Sequence, residues 1–158
     1  NAALITQDII SESEGIIGSI TINTSSAESG DYGLSDVLVW EEFSLFGWDM
    51  QALTLPDANQ FIASFNTDDL FSGIQDLYFD LNDDFSAYPY SYNGSVGDMF
   101  NPGATGFIDI FDDMANPAQL VEFYSDVYFG EATVVPTPAT LILFLTAVVG
   151  LVVRRKNS

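Results

Sequence analysis

Short apolar runs, separated at close intervals by turn-forming residues, are the feature that most limits the folds open to this chain. Nine such runs are found, at residues 4–10, 17–23, 34–40, 50–55, 61–65, 75–81, 85–92, 106–111 and 120–129. Gly, Asn, Asp, Ser and Pro lie between them, and this spacing is typical of all-β domains. The sequence therefore predicts an all-β fold, specifically a jelly-roll-like β-sandwich.

The run at 120–129 has the clearest alternation of a half-buried strand. One face carries apolar side chains and the other carries acidic and tyrosine side chains: Val121, Phe123, Val127 and Phe129 against Glu122, Tyr124, Asp126 and Tyr128. Pro89 predicts that the strand containing Tyr90 lies at a sheet edge, because proline cannot donate to a ladder. We expect one helical turn after Asn116-Pro117, and Trp40 and Trp48 in the core.

The charges are distributed very unevenly along the chain. There are 23 acidic residues and three basic ones, and the basic ones are Arg154, Arg155 and Lys156, so residues 1–153 contain no Lys or Arg. Proteins bind nucleic acid largely by neutralising phosphates with Lys and Arg. The sequence therefore excludes nucleic acid as a partner of the acidic body.

The chain also lacks Cys and His. Without them it has no Ser-His-Asp triad, cysteine nucleophile, thiolate zinc site or imidazole base. Enzymatic chemistry would rest on a carboxylate pair, as in glycosidases. With 23 acidic residues some pair meets the required separation by chance, so we predict a non-enzymatic protein with no catalytic residues.

An uncharged apolar segment, residues 139–153, precedes the basic triplet. A helix that is apolar all round is either deeply buried or in a membrane, and a full crossing takes about 20 residues. Pro136 and Pro138 separate this segment from the body, and the basic cluster follows the positive-inside rule. The sequence predicts an acidic ectodomain at 1–133 and a tail at 134–158 that contains a single hydrophobic helix.

The tail resembles a PEP-CTERM sorting signal. The resemblance rests on three parts in order: Val135-Pro136-Thr137-Pro138, the apolar run with Gly150, and Arg154-Arg155-Lys156. Thr137 stands where the family usually has Glu. The resemblance implies that exosortase, a membrane transpeptidase-like enzyme of Gram-negative bacteria that make exopolysaccharide, recognises Val135, Pro136 and Pro138. It also implies that the basic triplet fixes the orientation of the membrane helix.

The N-terminal residues are consistent with export. Asn1-Ala2-Ala3 has no initiator Met, and no basic and apolar leader precedes it, so the expectation is a signal already removed or a fragment. Together with the tail, this predicts a protein of the outer surface or extracellular matrix that is anchored in the membrane only transiently.

Two groups of residues are candidate binding sites. Asp80, Asn82, Asp83 and Asp84 concentrate oxygen ligands of the kind that calcium prefers, although their spacing does not match an EF-hand loop. Asp68-Asp69 and Asp112-Asp113 are further acidic pairs. The alternative is that these residues form solvated turns through local hydrogen bonds to the backbone.

The second candidate is a row of tyrosines, Tyr88, Tyr90 and Tyr92, which a strand would place on one face. Such a row beside carboxylates and amides suits a carbohydrate platform, and packing or cross-strand pairing is the alternative. Three functions follow from the sequence: a non-enzymatic surface or matrix protein, a self-assembling filament or sheath subunit, and a binder of exopolysaccharide.

Overall fold

The computed structural model describes residues 2–50, 60–81, 90–101 and 104–137. Twelve strands lie within these segments, and their bounds are Ala3–Ser11 (β1), Gly15–Asn23 (β2), Glu28–Ser29 (β3), Ser35–Val37 (β4), Trp40–Leu45 (β5), Trp48–Asp49 (β6), Gln60–Phe65 (β7), Ile74–Leu81 (β8), Tyr90–Gly97 (β9), Gly106–Asp112 (β10), Gln119–Phe129 (β11) and Thr133–Pro136 (β12). Single 3-10 turns occur at Thr24–Ser26 and Leu70–Ser72.

The strands form one antiparallel sheet. Its order is β3-β4-β7-β8-β9-β10-β11-β1-β2-β5-β6, and β12 pairs with β1 beside this path. Most neighbours in the sheet are also neighbours in sequence, as in β7 through β11, because short turns connect antiparallel strands directly. The all-β prediction is confirmed.

The sheet curls so that its two halves enclose a single core. Phe43 of β5 and Phe79 of β8 are far apart in the strand order, yet their rings meet edge to face with centroids 5.2 Å apart. Trp40 and Phe61 make a similar contact at 4.9 Å. Gly94 of β9 leaves room for the Phe79 ring, since a Cβ atom there would collide with it. Aromatic contacts across the core therefore hold the curl closed.

Strand β1 pairs with β2 along one edge and divides its other edge between two strands. Its first half pairs with β12 and its last three residues pair with the end of β11. Gly130 lies at the junction, where its N–H donates to the carbonyl of Asp8. Within the described residues, the sheet therefore extends to Pro136, beyond the boundary predicted at residue 133. Val134 also packs against the core.

Several finer predictions are wrong. The run at 34–40 divides into two strands, because the chain turns at the exposed Leu38 and Val39. Strand β9, which begins at Tyr90, lies between β8 and β10 and is not an edge strand. No helical turn follows Asn116-Pro117; turns and bends lead directly into β11. Trp40 is buried as expected, whereas Trp48 is 54% exposed.

The alternation predicted for 120–129 holds only at one end. Val127 is fully buried, but Val121 and Phe123 are more than half exposed. The register between β10 and β11 shifts twice, so the face that points into the core changes along β11. The first half of this strand also extends past β1, so β1 does not flank it.

Candidate functional site

The residues of the predicted sorting motif lie partly in the sheet. Val135 and Pro136 belong to β12, where they pair with Leu4 and Ala3. The N–H of Thr137 donates to the carbonyl of Ala2 at 3.3 Å. Pro138, the apolar run and the triplet Arg154, Arg155 and Lys156 lie outside the described residues.

The predicted calcium loop is only partly described. Asp80 lies within β8 rather than in a turn, opposite Gln60 on one side and Asn93 on the other. Asn82, Asp83 and Asp84 lie outside the described residues. In the segments that the structure covers, no three acidic side chains come close enough together to hold a metal ion. A calcium site in this loop stays a prediction.

Other acidic residues serve the turns in which they lie. The Asp112 carboxylate accepts a hydrogen bond from the N–H of Met114 at 2.9 Å, and Asp98 accepts one from Phe100 at 2.8 Å. Both are Asx-type turns, in which an aspartate side chain replaces a backbone acceptor. For these two residues the local turn role is the one observed.

The tyrosine row does not form an exposed platform. Tyr92 is 3% exposed, because its register places it between Leu81 and Ile110 on the core face. Tyr90 is at the margin of the core at 36% exposure, and Tyr88 lies outside the described residues. Tyr92 is therefore unavailable for stacking on a sugar, and this part of the prediction is wrong.

A polar row that sequence reasoning missed crosses the outer face of the sheet. Directly paired residues share a face, and the pairing places side chains from β7 to β11 in line: Gln60, Asp80, Asn93, Asp109 and Phe123. Neighbouring members are about 4.8 Å apart across the strands. We call these five residues the outer polar row. One carboxylate oxygen of Asp109, Oδ1, is buried and accepts no hydrogen bond within the described part of the chain.

A less polar row runs beside it on the same face. It contains Ile62, Tyr78, Ser95 and Phe107, of which Ile62 and Tyr78 are 41% and 36% exposed. Amides and carboxylates next to partly exposed rings can hydrogen-bond hydroxyl groups while the rings cover apolar faces of a ligand. In the sequence, this face is indicated only by the short polar alternation at 91–95. The other residues of the two rows come from four distant strands, so no single segment shows them together.

An acidic cleft lies beside the first half of β11. Two adjoining cavities of about 570 and 400 Å³ share Glu14 and Tyr124. Their combined lining contains four carboxylates, Asp8, Glu14, Glu122 and Asp126, and three aromatic rings, Phe46, Phe123 and Tyr124. We call this the acidic cleft.

The turn between β5 and β6 delivers one ring to the cleft. Phe46 and Gly47 form a two-residue hairpin turn in which both φ angles are positive, +53° and +79°. A bulky residue rarely adopts this conformation. Here the Phe46 ring packs against the Tyr124 ring with centroids 5.0 Å apart, so the contact offsets part of the backbone strain.

Hydrogen bonds shift the pKa values of two groups in the cleft. The Tyr124 hydroxyl donates to Glu122 at 2.5 Å; this bond, burial and the carboxylates of Glu122, Glu14 and Asp126 raise the pKa of Tyr124 to about 12. Burial opposes ionisation of Asp126, but hydrogen bonds from Ser11 and Ser13 hold its pKa below its usual range. Both shifts favour the forms that these groups ordinarily have near pH 7, a neutral tyrosine and an ionised aspartate.

No helix within the described segments has the length and hydropathy of a membrane span. Comparisons of the chain with protein-family models, with curated proteins and with solved structures give no match.

Proposed function

We propose that the chain is an exported, non-enzymatic protein of the cell surface or extracellular matrix of a Gram-negative bacterium, sorted by an exosortase-type enzyme that acts on its tail. The observation that carries the proposal is the order of elements in the sequence after β12. Pro136 and Pro138 are followed by the apolar run 139–153 and then by Arg154-Arg155-Lys156. This order suits a transient membrane anchor oriented by its basic end.

The fold is compatible with removal of the tail from the folded body. The last described strand, β12, ends at Pro136 and is held in the sheet by four residue pairs with β1. Cleavage beyond Pro138 would leave every described strand in the released protein. The body would then stay folded after the anchor is removed.

We also propose a finer description of the fold, a jelly-roll-like sandwich followed by one hydrophobic helix. The two sandwich layers would be the halves of the curled sheet, which separate on the N-terminal side of Val127, where β11 diverges from β1. The contact between Phe43 and Phe79 across the core supports this description. The helix at 139–153 is a prediction from the sequence.

The test uses the native host and an antibody to the acidic body. Replacing Pro136 and Pro138 with Ala should retain the uncleaved chain in the membrane fraction, because the sorting enzyme would lose its recognition residues. Thr133→Ala, an exposed change in the same strand, is the matched control and should leave release unchanged. Normal release of the double proline variant would contradict the proposal.

Binding of exopolysaccharide is a second candidate function, and the outer polar row favours it. Asn93 and Tyr78 lie on neighbouring strands of that face and offer an amide and a ring edge to a neutral sugar chain. Replacing both with Ala should reduce retention on the host's polysaccharide. Leu38→Ala, at an exposed turn outside both rows, is the control, and equal retention of all three proteins would remove this candidate.

A further inference from the structure

Strand β11 has a long unpaired edge. It pairs with β10 along one side, but on its other side β1 covers only Val127–Phe129. Among the described residues, one further main-chain bond reaches this side of β11, from the N–H of Glu12 to the carbonyl of Asp126. Within the described segments, residues 119–125 therefore have no neighbouring strand on that side. Seven residues exceed the length of an average strand.

The side chains along this edge favour contact with another chain. Leu120, Val121 and Phe123 are 54%, 52% and 57% exposed. Proteins usually protect free edges with Lys, Pro or bulges that turn the edge away. The stretch contains neither Lys nor Pro, and Glu122 is its only charge. Its register with β10 shifts at Val121 and again beyond Tyr124, so bulges are the only one of these protections that it has. An exposed apolar edge of this kind is a template for addition of an extended segment.

The charge next to the edge indicates the chemistry of the segment. The acidic cleft adjoins the edge through Phe123 and Tyr124, and its carboxylates include Glu14, Glu122 and Asp126. Residues 1–153 contain no Lys, Arg or His side chain to neutralise them. The Phe46 and Tyr124 rings can also attract an ammonium or guanidinium group through their faces. A cationic side chain from outside is the complementary group.

We propose that the free edge of β11 binds an extended segment of another protein in which apolar residues alternate with Lys or Arg. The segment adds as a strand along residues 119–125 and places its cationic side chains in the acidic cleft. A second copy of the same edge fits less well, because it would bring another Glu122 and Asp126 against the same carboxylates. This inference does not depend on how the tail is processed.

The direct test measures binding to the full chain in a nonionic detergent. The probe is an eight-residue peptide that alternates lysine and valine and has blocked ends. We expect saturable binding that weakens as salt is raised. A peptide with glutamate in place of lysine should not bind, and a lysine peptide with all of its main-chain amides N-methylated should bind at least about tenfold more weakly, since it loses main-chain hydrogen bonds. Equal binding of the N-methylated peptide would overturn strand addition.

Variants locate the site. Glu14→Gln with Glu122→Gln should weaken binding of the lysine peptide about three- to tenfold, the range expected for two partly exposed ion pairs. Glutamine at 122 can still accept the Tyr124 hydrogen bond, so the fold is preserved. Glu28→Gln with Asp31→Asn removes two exposed charges at the β3 end of the sheet and should have no such effect. Equal weakening by both double variants would overturn the assignment of the binding site to the acidic cleft.

Sedimentation in the same buffer distinguishes a second copy as the occupant. We expect the same sedimentation coefficient for the native protein and for Phe123→Ser. An oligomer that Phe123→Ser dissociates and that the lysine peptide does not displace would overturn the proposal in favour of a filament or sheath contact.

Discussion

The side-chain carbonyl of Gln7 accepts a hydrogen bond from the main-chain N–H of Ile74 at 2.6 Å. The amide nitrogen of Gln7 donates to the carbonyl of Gly130 at 2.9 Å. Gln7 is 4% exposed, so one buried amide joins β1, the start of β8 and the corner between β11 and β12. Gly73, whose φ is +74°, lies against this amide, and a Cβ atom at position 73 would collide with it.

Replacing Gln7 with Leu should lower the free energy of unfolding by about 1–3 kcal/mol. The change leaves the buried N–H of Ile74 and the partly buried carbonyl of Gly130 without their partner, and an unsatisfied buried group costs that much. Gln60→Leu, on the exposed surface of β7, is the matched control and should stay within about 0.5 kcal/mol. Chemical denaturation measures both; equal effects would contradict the bridging role.

The aromatic contact across the core predicts a difference in stability between two phenylalanine variants. Phe79 is fully buried against Phe43, whereas Phe123 is 57% exposed. Phe79→Ala should destabilise the protein by about 3–5 kcal/mol, and Phe123→Ala should change stability by less than about 1 kcal/mol. A large loss of stability for Phe123→Ala in thermal melts would show that the edge of β11 is covered in the folded protein.

Asp76 makes stability depend on pH. Burial raises its pKa, and the carboxylates of Asp98 and Asp36 raise it further. A carboxyl whose folded-state pKa is raised binds its proton more tightly when folded, so its contribution falls as pH rises from the unfolded value of 3.8 through the folded one. Asp76→Asn should therefore raise the melting temperature at pH 7 and have a smaller effect near pH 3.

The control for this prediction is Asp31→Asn, an exposed aspartate in the turn before β4. It removes the same charge without relieving the repulsion among Asp36, Asp76 and Asp98. If Asp31→Asn shows the same difference between pH 7 and pH 3, the effect belongs to the net charge and not to the Asp76 site.

The sequence predicted the bounds of some strands well and those of others poorly: β9 spans Tyr90–Gly97, although the predicted run was 85–92. The runs at 61–65 and 75–81 became β7 and β8 with bounds shifted by at most one residue. The run at 120–129 was also a strand, but its burial depended on the register with β10 and on where β1 ends. Those are relationships between distant segments, and alternation within a single segment does not contain them.

The candidate sites were harder to predict for the same reason. Tyr92 looks like part of an exposed row until its pairing with Leu81 and Ile110 places it in the core. Trp48 looks like a core residue, but the hairpin turn at Phe46-Gly47 leaves it on the surface. The outer polar row and the acidic cleft are built from distant segments, more than a hundred residues apart for Asp8 and Asp126 of the cleft, and only the sheet order brings them together.

The mass of the protein released by the native host tests the central claim most directly. Intact-mass spectrometry of the extracellular fraction should show a chain that ends close to Pro138 and retains β12, because the anchor is removed beyond the last strand. A released protein that still carries Arg154 to Ser158 would contradict sorting through the tail.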